Sequence, residues 1–164
     1  MAAGVVAVTM LGTSTGWAQQ KAADAKQQIV GVWKLVSVTN TKDGVTKAGS
    51  SFGPTPAGRL VFTGSGNYVS VNTNPNLPKI ASNNRASGTA EENKAVVQGS
   101  IAGFGTYSVS ADGKTLTMKQ ESGTYANRNG SEEKRPLTLA GDDMKYTTQA
   151  TVGGSSELVY KRLK

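Results

Sequence analysis

The chain has 164 residues, with 18 Lys and Arg against 11 Asp and Glu, no His and no Cys, for a net charge of +7. That length suits one domain. The two missing residue types exclude Ser-His-Asp and Cys-His catalysis, an ordinary zinc site and any disulfide.

The first twenty residues carry no charge. An apolar run from Ala2 to Leu11 leads into small polar residues and Gly16-Trp17-Ala18. The run is too short to cross a bilayer and suits the centre of a secretory signal, with Gly16 and Ala18 as the small residues needed before a cut. Residues 1–18 are therefore expected to be a signal peptide, 19–28 a flexible tether or short helix, and 29–164 the folded domain. The mature protein would be periplasmic or secreted, with Trp33 as its only tryptophan.

Structure is expected to start at Ile29. Residues 29–39 are rich in β-branched side chains, but their alternation slips near Leu35-Val36, where a bulge would flip the facing side chains. Asn40 to Pro56 reads as a long loop with a turn at Lys42-Asp43-Gly44 and a corner at Phe52-Gly53-Pro54. Strands follow at Arg59–Thr63 and Asn67–Asn72, joined by Gly64-Ser65-Gly66. That G-x-G precedes a strand rather than a helix, so it reads as a hairpin turn and not a phosphate loop.

From Thr73 to Gly99 the β pattern stops. Thr89-Ala90-Glu91-Glu92 is a capping box, with Thr89 as N-cap and Glu92 reaching back, opening a short helix that ends at Gly99. The β rhythm returns at Ile101–Val109, then at Lys114–Gln120 after an Ala111-Asp112-Gly113 turn. A polar loop over 125–131 leads to a strand at Lys134–Leu139, and Gly141-Asp142-Asp143 turns into Met144–Thr148. Gly153-Gly154 opens the last strand, Glu157–Arg162. The result is an all-β chain of eight antiparallel strands with one short helical insertion, which manages its edges best as a closed barrel.

Seven stretches, in order along nearly the whole mature chain, resemble the bacterial and fungal lipocalin-like domain proteins. They are Gly31-Val32-Trp33-Lys34-Leu35, Phe52-Gly53-Pro54 with Gly58-Arg59-Leu60, Ala81-Ser82-Asn83-Asn84-Arg85, and Glu91-Glu92-Asn93-Lys94-Ala95. The others are Gly103-Phe104-Gly105-Thr106-Tyr107, Glu133-Lys134-Arg135-Pro136 and Glu157-Leu158-Val159-Tyr160-Lys161-Arg162. The resemblance implies an eight-stranded lipocalin-like, calycin-type barrel. It also implies that Gly31 and Trp33 close the base, with Arg162 (or Lys161, in another register) packed over the indole. Arg128 stands where that pattern has an aromatic residue, so the loop around it is expected to differ.

An eight-stranded barrel is either filled by side chains or holds one small ligand. The insertion between Val71 and Ile101 is long enough to cover its mouth. It brings Asn83, Asn84 and Arg85, whose planar guanidinium suits a carboxylate or phosphate. Tyr68 and Tyr107 are candidate pocket walls, with an apolar body and a polar tip; Tyr125 and Tyr146 are further tyrosines of the same kind. The acidic pairs Glu91-Glu92, Glu132-Glu133 and Asp142-Asp143 read as a helix start, a strand border and a turn. No acidic spacing calls for a metal, and no cofactor is implied. The basic residues are scattered, with Lys134-Arg135 and Lys161-Arg162 the densest pairs, which argues against nucleic acid. No stretch is long enough for integral membrane association.

The leading expectation is an exported protein binding a small, largely apolar and in part anionic molecule, with Arg85 as the polar anchor. The alternatives are a cofactor-free enzyme (isomerase, cyclase or hydratase) using Tyr, Arg and carboxylate groups, and a filled barrel acting through its surface.

Overall fold

A computed structural model describes residues 25–49 and 51–164. The expected signal peptide lies outside the described residues, as does most of the tether; residues 25–29 are helical. The strands are β1 (Gly31–Lys42), β2 (Val45–Ala48), β3 (Ala57–Phe62), β4 (Asn67–Thr73), β5 (Ser100–Val109), β6 (Thr115–Gly123), β7 (Glu132–Ala140), β8 (Asp143–Gln149) and β9 (Ser155–Arg162). One α-helix, α1 (Ala90–Gly99), precedes β5.

Every neighbouring pair is antiparallel, and β1 pairs with both β3 and β9. That last pairing closes eight strands into a barrel and leaves β2 as an extra strand on the far half of β1. The expected long loop at Asn40–Pro56 thus contains a hairpin. Strand β2 is exposed at every position, so it has no apolar alternation to read. Its pairing with the extension of β1, over Thr39–Lys42, sets its conformation.

The bulge falls where the alternation slips. The β1–β9 register shifts between Leu35 and Ser37, leaving Val36 as the extra residue. Trp33 and Leu35 before it and Val38 after it are all buried as a result. Inward residues from the other strands complete one core, including Leu60, Phe62, Leu116, Met144 and Tyr160. The capping box also forms: Thr89 accepts from the Glu92 amide at 3.2 Å, and Glu92 accepts from the Thr89 amide at 2.8 Å. Helix α1 buries only Gly99, so caps and loop contacts rather than core burial hold it.

Candidate functional site

One end of the barrel is plugged. Trp33 is fully buried, and its indole N–H donates to the Ile29 carbonyl at 2.8 Å, tying the helical turn at residues 25–29 across the opening. Trp33 lies opposite Arg162 in the β1–β9 register, and the guanidinium sits 4.2 Å from the indole centroid. Arg162 also donates to the carbonyls of Val30 and Gln28 and pairs with Asp142. Gly31 makes this packing possible. Its φ is +135°, and a Cβ there would lie 2.7 Å from Nη1 of Arg162.

The other end is hollow. A cavity of about 110 Å³ lies among Val38, Tyr68, Asn72, Met118, Arg135 and Tyr146. Its mouth is formed by Phe52, Arg128 and the turn carrying Ala150 and Val152. Strand alternation explains the lining. In β7, Glu133, Arg135 and Leu137 share the inner face while Glu132, Lys134 and Pro136 are exposed. In β8 and β9, Tyr146 and Tyr160 are both buried and face each other, with hydroxyls 3.2 Å apart.

Glu133 and Arg135 form an ion pair inside the wall, with side chains only 22% and 11% exposed. Nε and Nη2 of Arg135 donate to one Glu133 oxygen at 3.1 and 2.8 Å, and Nη1 contacts the Met118 sulfur at 2.9 Å. The guanidinium also sits 5.2 Å from the Tyr146 ring centroid. Glu133 further accepts from the Thr148 hydroxyl and the Gln149 amide, each at 2.7 Å. Burial pushes the Glu133 carboxyl up, but Arg135 and these donors outweigh it and hold it below the usual carboxylate range. Burial works against the Arg135 charge, yet neighbouring Tyr146 and Glu133 keep its pKa above the ordinary arginine value. Burial raises Tyr68 and raises Tyr160 strongly. These groups hold fixed charges and neutral hydroxyls at neutral pH. A carboxylate held ionised by several donors is a weak base.

Of the residues expected to bind ligand, Tyr68 lines the cavity. Tyr107 is buried below it, donating its hydroxyl to the Thr63 carbonyl at 2.8 Å and packing on Phe62 with ring centroids 4.5 Å apart. Asn83, Asn84 and Arg85 are exposed, and no residue between Asn74 and Gly99 lines the cavity. The insertion folds on itself: Asn84 caps the short turn Arg85–Ser87, and Glu92 accepts from the Ala81 amide at 2.9 Å. The arginine the structure brings to the cavity is Arg135, part of the Lys134-Arg135 basic pair and of the stretch Glu133-Lys134-Arg135-Pro136. Its signal was the period of two. Leu137 is an inward core residue, so Arg135 and Glu133 on the same strand must face inward as well.

A closed eight-stranded antiparallel barrel, plugged at its base and open to a pocket with a charged wall at the other end, is a lipocalin-like, calycin-type barrel. The chain belongs to the lipocalin-like domain family, whose model matches residues 30–160. Among solved structures, it is similar to a redesigned β-barrel at 16% identity, with a TM-score of 0.45, over 85% of this chain and 96% of that one. No curated protein matches it. Family and barrel together point to small-molecule binding. Among the described residues, no helix is long and apolar enough to cross a membrane.

Proposed function

We propose that this protein is exported and binds one small, largely apolar molecule in the hollow end of its barrel. The observation that carries this reading is the cavity itself, a pocket of about 110 Å³ open to solvent at one side and lined by apolar and polar side chains together. Pockets of this make-up are where small molecules bind, and a cavity of about 150 Å³ is enough for a benzene ring. A ring or a short branched chain therefore fits against Val38, Met118 and Leu158. The remainder of a longer ligand would pass out between Phe52 and Val152. At this cavity Arg135, not Arg85, would meet the polar end.

Export rests on the uncharged apolar start and on the small residues Gly16 and Ala18. Two measurements on protein purified from its own source test the proposal. Native mass spectrometry should show a retained small molecule that denaturation releases. Intact mass should show loss of the first eighteen residues or close to that. Full-length protein confined to the cytosol would overturn export. A ligand-free protein whose cavity-lining amide resonances respond to no member of a library of small aromatic and short aliphatic molecules would overturn binding.

A further inference from the structure

Two donors with unused hydrogen-bonding capacity, Tyr68 and Arg135, line the cavity. Tyr68 is 4% exposed, lines the cavity, and its hydroxyl has no hydrogen-bond partner among the described residues. A hydroxyl that opens onto a cavity with no protein partner can donate to a ligand atom placed there. Tyr146 comes next. Its hydroxyl meets that of Tyr160, which is fully buried, at 3.2 Å, and either oxygen can be the donor of that pair.

Arg135 adds to this. Its Nη1 meets only the Met118 sulfur, a weak acceptor, so donor capacity remains on the cavity side of the ion pair. Two of the acceptors nearby are engaged. Asn40 Oδ1 takes the Ser156 hydroxyl at 2.6 Å, and Glu133 is bound by Arg135, Thr148 and Gln149. Asn72 Oδ1 is buried without a partner, pressed toward Gly58, where any Cβ would collide with it. The charges near the cavity are two guanidinium groups, Arg128 and Arg135, and the carboxylates of Glu133 and, acting on Tyr68, Glu121; of these only Arg128 and Arg135 line it.

From this arrangement we infer that the cavity selects a ligand bearing a carboxylate on a ring-sized apolar body, with the oxyanion received by the Tyr68 hydroxyl and by Arg135. The inference rests on the binding reading above and narrows it to a chemical class. Glu133 then has a second effect. It holds Arg135 in place, and it also competes with the incoming carboxylate for the same cation.

The test is titration of the folded protein with benzoate and with its neutral counterpart benzyl alcohol, followed by the amide resonances of Tyr68, Ile101 and Thr148. Benzoate should bind about tenfold tighter than benzyl alcohol. Tyr68→Phe should weaken benzoate several-fold and leave benzyl alcohol unchanged. Glu133→Gln, which keeps the shape and removes the competing charge, should tighten benzoate and leave benzyl alcohol unchanged. Equal affinities in the wild type, unmoved by either variant, would overturn the carboxylate class while leaving small-molecule binding intact. Shifts from neither probe would overturn this inference; a molecule still retained from the native source would then show that the broader reading survives it.

Discussion

Replacing Trp33 with Ala tests the base of the barrel. The side chain is fully buried, so its removal takes away apolar contacts that the surrounding strands can only partly recover, a loss of about 3–5 kcal/mol for a large aromatic. Two further contacts disappear with it. The Arg162 guanidinium loses the ring it covers, worth roughly 0.5–2 kcal/mol, and the Ile29 carbonyl loses a donor, worth about 0.5–1.5 kcal/mol. These overlap with the first figure, so the expected total is near its upper end, about 5 kcal/mol. For a domain of this size each kcal/mol moves the melting temperature by about 4 °C, which predicts a fall on the order of 20 °C. Urea unfolding should be followed by far-ultraviolet circular dichroism, because the variant has lost the buried fluorophore. Trp33→Phe separates the parts: it keeps a ring beneath Arg162 and loses the N–H, so it should cost no more than about half as much. A Trp33→Ala midpoint corresponding to less than about 1 kcal/mol would refute the view that this residue plugs the barrel.

Gly31→Ala should destabilise by about 1–2 kcal/mol or more, since an alanine is strained at this positive φ and its methyl meets Arg162; urea midpoints of Gly31→Ala and Arg162→Ala, alone and combined, should be non-additive. The Glu133 carboxyl is held below the pKa it has in the unfolded chain. Its contribution to stability is therefore complete above the ordinary carboxylate range and is lost as pH falls through the depressed folded value. Glu133→Gln should accordingly flatten the acid limb of a stability-against-pH curve measured by thermal melts. Thr89→Ala removes one half of the capping box and should cost about 0.5–2 kcal/mol, felt locally. Hydrogen exchange should speed up over residues 90–95 while the core strands keep their protection.

The barrel strands and the one capped helix were legible because their signals are local: alternation, turn residues and a capping box act over a few neighbours. The bulge at Val36 was legible for the same reason, as a slip in alternation. Strand β2 was not, because Val45-Thr46-Lys47-Ala48 is held by an edge pairing and buries nothing. At the candidate site, Tyr68 was readable as an inward strand residue with a polar tip. Arg85 drew attention because it sits in a long insertion, yet the insertion spends its polar groups on its own turns. Glu133 reads as half of an acidic pair at a strand border and Arg135 as half of a basic pair, and neither pattern tells that the two are buried together. Burial of both depends on each other and on Thr148 and Gln149 from the neighbouring strand, a pairing that no local pattern announces.

The seam between β1 and β9 has a consequence for how the chain reaches its native state. These strands stand at opposite ends of the domain, with Trp33 meeting Arg162 and Thr41 meeting Ser155. Until the C-terminal strand has left the ribosome, or the translocation channel, everything before it can form only an open sheet. Such a sheet carries raw hydrogen-bonding edges on β1 and β8, the kind that recruit other chains. Contacts so distant in sequence also form slowly. The final eight-residue strand thus works as a fastening made last. A nascent or C-terminally clipped chain should behave as an aggregation-prone intermediate, soluble only while a holding chaperone covers the two edges that β9 would join.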